Sequence, residues 1–346
     1  MISHSKPTLD QYDYEEVLNV LKSANLVQGE KVAEFEEDLS SYIGVRKGVA
    51  VSSGTAALHL SLLALGTKKG DEVIIPSYVC PALLNAVMYV NAVPIIADID
   101  RATLNIDVND IRKKVTKKTR AIIVPHMFGL AAEINEIISL GIPVIEDCAQ
   151  SAGARYQGRY TGSFGVCSIF SFYATKMLST GEGGMILSND DRFAEKARDL
   201  RDYDEKESSS VRYNYKMTDI QAALGISQLK KLPSFIGRRK EIADLYNRTL
   251  GDISISVPTV PEDREHIYYR YVLLLDDSSV FMKKMQKRGI QCRRPVFKPL
   301  HKYLSLSGYP VTEDASDRAI SIPIYPSLGD NEVHHILMNI KEILKI

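Results

Sequence analysis

KGVAVSSGTAALHLSLLALGTKKGDEVIIPS, residues 47–77, decides the fold. A short β-branched run, KGVAVSS (47–53), ends in small polar residues and passes into TAALHLSLLALG (55–66), a helical pattern. A turn then leads to a second apolar run, EVIIPS (72–77). Short apolar runs bounded by turn residues read as strands buried on both faces. Strand, helix and strand in succession form the unit of a parallel sheet covered by helices. The pattern continues outward through PIIADI (94–99), AIIVPH (121–126), PVIEDC (143–148), CSIFSF (167–172) and GGMILS (183–188), with the helical AAEINEIISLG (131–141) between two of them. The fold class is therefore α/β with a mostly parallel sheet, its last two strands too closely spaced for a crossover helix.

Towards the C-terminus the pattern changes. MTDIQAALGISQLKKLP (217–233) reads as an amphipathic helix ended by its proline, followed by the polar helix IGRRKEIADLYNRTL (236–250). We place a boundary near 235. Residues 1–235 form a large domain with an N-terminal arm of about residues 1–30, and residues 236–346 a small α+β domain. In the latter, YYRYVLLL (268–275), VFMKKMQKRG (280–289), IQCRRPV (290–296) and DNEVHHILMNIKEIL (330–344) read as strand, helix, strand and closing helix.

Lys plus Arg and Asp plus Glu each number 43 in 346 residues, so no net field draws the chain to nucleic acid or an anionic membrane. The four cysteines lack CxxC spacing, which predicts a reduced cytoplasmic protein without zinc. The N-terminus, MISHSKPTLDQYDYEEV, lacks the features of a signal peptide, and no apolar run approaches the roughly 18 residues of a membrane span.

Ligands of open α/β sheets sit at the carboxyl ends of strands. Gly54 and Thr55 open a helix there whose free N–H groups suit a phosphate, while Ser53 or Thr55 equally suits an ordinary cap. Glu146, Asp147 and Gln150 follow another strand, where a carboxylate serves a helix cap, a metal or a cationic ring nitrogen; no metal-ligand spacing accompanies them. Lys176 stands in SFYATKMLSTGEGG (171–184), otherwise nearly uncharged. A lysine in low-dielectric surroundings becomes a nucleophilic amine able to form a Schiff base, and the alternative is a snorkelling loop lysine. Phosphate cup, strand-end acid and amine together describe the needs of pyridoxal 5′-phosphate.

With VSSGTAALHLSLLALGTKKGDEVIIPSY, PHMFGL, VIEDCAQSAGA, SFYATKMLSTGEGGMI, YNYKMTDIQAALGISQLKKL, PLHKY and SIPIYPSL in this order, the chain resembles the DegT/DnrJ/EryC1/StrS sugar aminotransferases over nearly its whole length. The resemblance implies aminotransferase fold type I with a seven-stranded sheet in the large domain. It implies a reaction that passes an amino group from a donor, expected to be glutamate, through pyridoxamine phosphate to a nucleotide-linked keto-deoxyhexose. Lys176 matches the Schiff-base lysine, Asp147 the pyridinium partner and Gln150 the residue beside the phenolic oxygen. Ser171, with Gly54 and Thr55, matches the phosphate ligands, and Asn214 a ligand reaching the partner subunit's site in a homodimer. His126 and His301 match positions near the substrate, and each equally suits a packed core or loop histidine. Arg293 and Arg294, in a basic segment that continues through Lys298 and Lys302, suit contacts for a diphosphate or, equally, a solvated surface strand edge. The family usually carries an aromatic residue for the cofactor ring where this chain has Cys80, so either Tyr78 swings in or a sulfur contact replaces stacking. A dehydratase branch replaces the lysine by histidine, which Lys176 argues against. A keto-cyclitol aminotransferase and a regulatory, non-catalytic protein are the rival readings.

Overall fold

All seven apolar runs become strands of one sheet in the computed structural model, which describes residues 1–250 and 256–345. In chain order the strands are β1 (Lys47–Val51), β2 (Glu72–Pro76), β3 (Val93–Ala97), β4 (Thr119–Pro125) and β5 (Val144–Asp147). A short hairpin of β6 (Arg155–Tyr156) and β7 (Arg159–Tyr160) intervenes before β8 (Cys167–Ser171) and β9 (Gly184–Ser188). Across the sheet the order is β1-β9-β8-β5-β4-β2-β3. Only β9 runs antiparallel to its neighbours β1 and β8. The chain between β8 and β9 holds the candidate lysine instead of a crossover helix, so the strand can only return antiparallel.

The central strands are buried along almost their whole length, as continuous β-branched runs require. The helix expected over 131–141 is confined to Ile134–Ile138. Tertiary bonds hold the preceding backbone out of it: the Ala132 N–H donates to His126 Nδ1 and the Ala131 carbonyl accepts from Arg264.

A second apolar core gathers Ile242, Tyr246, Tyr271, Leu273, Phe281, Met285, Ile320, Ile322, Ile336 and Ile340, together with Ile2 from the N-terminus. Here β10 (Arg264–Glu265) pairs with β6, and β11 (Tyr271–Leu274) pairs antiparallel with β12 (Ala319–Ile322). The strand expected at 290–296 is reduced to bridges from Ile290 to Ile2 and from Arg293 to Ser321. Pro295 offers no N–H for a longer ladder.

The helix expected to stop at Pro233 instead runs unbroken from Asp219 to Leu250. An internal proline costs about 3 kcal/mol. Buried Leu229, Leu232, Phe235, Ile242 and Tyr246 lie on both sides of it, and burying each such side chain contributes roughly 1.5–3 kcal/mol. Packing therefore outweighs the break. The boundary expected near 235 falls within this helix, and we propose that the two domains join along it. In the arm, the helix Gln11–Ser23 docks on it through buried Asp13, which accepts from Ser227, Gln228 and Lys231. Among the described residues no helix is long and apolar enough to cross a membrane.

Candidate active site

Because β1, β2, β4, β5 and β8 share one direction, their carboxyl ends meet at one edge of the sheet. The register aligns Val51 and Ser171 with Gly184, Asp147 with Ile169, and Pro125 with Asp147. Gly54 and Thr55, Tyr78 and Cys80, His126, Asp147 and Gln150, and Ser171 and Lys176 therefore follow strand ends on the same side.

At the end of β1, the Ser53 hydroxyl accepts the Ala56 N–H and caps the helix Gly54–Ala64. The cap leaves the first N–H groups, those of Gly54 and Thr55, without an intrahelical acceptor. A Cβ on Gly54 would stand 2.8 Å from the Ser171 Cβ, so only glycine lets the helix start meet the end of β8 this closely. Two N–H groups, the positive end of a helix and the Ser171 hydroxyl form a cradle for an anion.

The adjacent acids of β5 are used in opposite ways. Glu146 is fully buried; its oxygens accept from His126 Nε2 at 3.0 Å and from the N–H groups of Gly162, Phe164 and Gly165 at 2.7–2.8 Å. Burial alone would raise its pKa, but the hydrogen bonds from His126, Gly165 and Gly162 outweigh it and lower the value. Buried Asp147 accepts from the Ala149 N–H at 2.9 Å. Burial pushes its pKa up against that bond and the charge of Lys176. Glu146 is thus satisfied, whereas Asp147 lacks a close cation.

His126, Glu146 and Cys148 lie close enough together to suggest a metal site. The donors are already committed: His126 uses Nε2 on Glu146 and Nδ1 on the Ala132 N–H, and burial drives the Cys148 thiol well above its ordinary value. The set fits a hydrogen-bonded support better than a cation. His126 thereby braces β5 and the turn behind Asp147, with no exposed edge for a substrate.

Lys176 is half-buried, and among the described residues it belongs to no ion pair. Its charge is felt by Asp147, Cys80 and Tyr269, whose ring centroid lies 5.3 Å from Nζ. Cys80 is reached by solvent but enclosed on its other sides, and this enclosure raises its thiol pKa against the pull of Lys176. Tyr78 is held in the core, with its hydroxyl on the Ala315 carbonyl and its ring edge against Phe128. Of the two ring contacts expected, Cys80 therefore stands nearer the lysine. Gln150 Oε1 accepts the Phe128 N–H, which ties the Asp147 loop to the turn after β4.

Other expected contacts lie farther out or are employed elsewhere. His301 is buried, bonded through Nδ1 to Ser77 at 2.6 Å and stacked on Tyr309, while its Nε2 has no hydrogen-bond partner among the described residues, Glu313 Oε1 standing 3.6 Å away. Asn214 is exposed on a stretch outside regular structure. The Arg294 guanidinium donates to the Ser316 and Asp317 carbonyls and the hydroxyls of Ser278 and Ser279, which occupies it structurally. Arg293 is exposed beside Phe297 in a surface recess. The sequence reading missed Tyr269, 93 residues beyond Lys176, because nothing in its strand pattern distinguishes it from neighbouring tyrosines.

The DegT/DnrJ/EryC1/StrS aminotransferase family model matches residues 7–341. The chain belongs to this family. It is 35% identical to GDP-perosamine synthase of Escherichia coli O157:H7 over 97% of both chains. It is 34% identical to the spore coat polysaccharide biosynthesis protein SpsC of Bacillus subtilis, over 99% of this chain and 97% of that one. Among solved structures it resembles the aminotransferase TlmJ of Streptoalloteichus hindustanus with a TM-score of 0.95 and 30% identity, covering 100% and 99% of the two chains. It also resembles Helicobacter pylori PseC, an aminotransferase involved in the biosynthesis of pseudoaminic acid, with a TM-score of 0.93 and 28% identity over 99% of each. As a member of this family the protein is an aminotransferase, and its fold is the one these enzymes share.

Proposed function

We propose that the protein uses pyridoxal 5′-phosphate to transfer an amino group from glutamate to a keto group on a nucleotide-linked deoxyhexose. One observation carries the reading: the anion cradle at Gly54, Thr55 and Ser171 meets Asp147 and Lys176, neither of them in an ion pair among the described residues, at one strand edge. These residues fit the cofactor. The cradle matches a phosphate, and a protonated ring nitrogen supplies the positive charge that buried Asp147 lacks. When bound, the cofactor supplies an aldehyde and an electron-withdrawing ring. Lys176 contributes the nucleophilic amine and, once released, a base that moves a proton. Asp147 would hold a proton at the ring nitrogen, with Gln150 and Cys80 as the expected neighbours of the bound group.

GDP-perosamine synthases among the relatives point to GDP-linked keto-deoxyhexoses as the first acceptors to test. Purified protein incubated with glutamate and such a sugar should form 2-oxoglutarate and the amino sugar in equal amounts. Amination of a free keto-cyclitol with no turnover of any nucleotide sugar would overturn the substrate class. We assign Arg293, exposed and outside the internal network that holds Arg294, to the acceptor's diphosphate. Arg293→Glu should raise KM for the sugar nucleotide several-fold while leaving that for glutamate near normal; equal effects would remove Arg293 from the site.

We also propose a homodimer in which Asn214 of the partner subunit completes the phosphate site. Mixing inactive Lys176→Ala and Asn214→Ala proteins under subunit exchange should then restore activity, because one hybrid site has both native groups. A monomer by light scattering would refute this arrangement.

A further inference from the structure

Asn214 is exposed and lies outside regular structure, yet the residues on either side of it are fixed. The Tyr213 N–H donates to the Leu200 carbonyl at 2.9 Å and the Tyr215 N–H to the Arg201 carbonyl at 3.0 Å, both at the end of the helix Asp191–Arg201. The Tyr215 carbonyl accepts the Ser52 N–H at 2.8 Å, just before the Ser53 cap. The two phenol rings stack on each other, with centroids 5.1 Å apart and planes at 16°. Rings two residues apart meet on one side only where the chain is extended, and the residue between them then points to the other side. With both neighbours turned towards their own subunit, Asn214 is left facing out.

On the inner side the two rings meet His59. This residue belongs to the helix Gly54–Ala64, whose first N–H groups form the anion cradle, and it is buried. Its ring meets Tyr213 edge-on at 4.8 Å and Tyr215 at 6.0 Å, and Tyr89 closes a third side at 5.4 Å. Nδ1 is 3.3 Å from the Tyr215 hydroxyl, while the enclosed Nε2 has no hydrogen-bond partner among the described residues. The bond to Tyr215 is the contact that a histidine makes here and a phenyl ring would not. Backbone bonding to Ser52 and ring contacts to His59 thus tie the Asn214 stretch to the cradle helix of its own subunit at two points.

We propose that His59 is a positioning residue for Asn214: with Tyr213 and Tyr215 it clamps the stretch on one subunit so that the amide reaches a phosphate monoester held by the cradle of the partner. The inference rests on the reading of Asn214 as a ligand of the partner's site. Because the neighbours are fixed in advance, the entropy of ordering the stretch is lost on folding and not when the phosphate binds. The clamp also makes each cradle helix serve both sites, its own through Gly54 and Thr55 and the partner's through His59. Loss of His59 therefore damages the site across the dimer and spares the one on its own chain.

In full-length His59→Ala freed of cofactor, the amide hydrogens of Tyr213 and Tyr215 should exchange faster, while the helix Gly54–Ala64 stays as protected as in wild type. The variant should bind pyridoxal 5′-phosphate about tenfold more weakly, the order of the cost of ordering one residue. Tyr213→Leu opens the clamp from the other side and should give the same pattern, which keeps the idea testable if His59→Ala folds poorly. The deciding measurement mixes His59→Ala with Lys176→Ala under subunit exchange, at a cofactor concentration below the His59→Ala dissociation constant. One hybrid site then has its lysine and an Asn214 clamped by a native His59, so activity should rise above that of either variant alone. Unchanged exchange at Tyr213 and Tyr215, or unchanged cofactor affinity, overturns the inference. So does a mixture that stays at the level of its parents, because His59 would then support only its own cradle. If the mixture of Lys176→Ala and Asn214→Ala also stays inactive, the shared-site reading has failed and the inference with it; recovery there with none here overturns the inference alone.

Discussion

Lys176 and Arg294 are two cations singled out by sequence, and their surroundings differ sharply. Arg294 reaches back from its loop to the carbonyls of Ser316 and Asp317 and two serine hydroxyls. Lys176 stands among Asp147, Cys80 and the Tyr269 ring with no ion-pair partner among the described residues. The same division separates Glu146, which accepts four hydrogen bonds, from Asp147, pushed up by burial. Groups that finish the fold have their bonding capacity filled. Groups at the strand edge keep capacity for a ligand.

The sharpest way to break this contrast is to remove the lysine. Lys176→Ala should abolish transamination while far-UV circular dichroism and the melting temperature stay close to wild type, since no core volume is lost. Retained turnover would place the chemistry elsewhere. Asp147→Asn should still bind the cofactor but lose about 100-fold or more in kcat, because a neutral amide cannot hold a proton on the ring nitrogen. Near-normal turnover in that variant would leave Asp147 with a structural role only.

Arg294→Ala should show the opposite behaviour. Losing hydrogen bonds from a charged donor should lower stability by about 2 kcal/mol, read as a fall in the urea midpoint, with KM for the sugar nucleotide unchanged below the transition. A selective rise in that KM with unaltered stability would return Arg294 to the substrate site.

The smallest effect concerns pH. His4 and His266 are buried and held down to about 3: burial acts first on both, then Arg270, Arg293 and Arg239 on His4 and Lys240 on His266. The unfolded chain takes up these protons near pH 6.5 while the folded chain refuses them. Their contribution is therefore full above pH 6.5 and lost as pH falls towards 3. Between pH 6.5 and 6.0 unfolding free energy should drop by about 1 kcal/mol, about half of it from each histidine. A flat urea midpoint over that interval would show that these histidines accept protons without opening the fold.

Every strand of the large sheet was legible because a strand buried on both faces must be apolar along its length, and the turn residues marked its ends. The long helix was not. Pro233 is a local stop signal, overruled by Leu229 and Leu232 in one core and Ile242 and Tyr246 in the other. IQCRRPV looked like a strand for the converse reason, as its local pattern is extended but only two residues make bridges.

From sequence alone came the family, the strand-end positions of Gly54, Asp147, Ser171 and Lys176, and hence the class of chemistry, because motif order and periodicity are written along the chain. Only tertiary structure decided that Glu146 is spent on His126 and the 162–165 loop, that Arg294 is an internal brace, that His126 is sealed behind the site and that Tyr269 meets Lys176. Each of these depends on which donors and acceptors remain after distant segments pack together, and hydrogen-bond capacity is assigned in space, where adjacency along the chain carries no information about it.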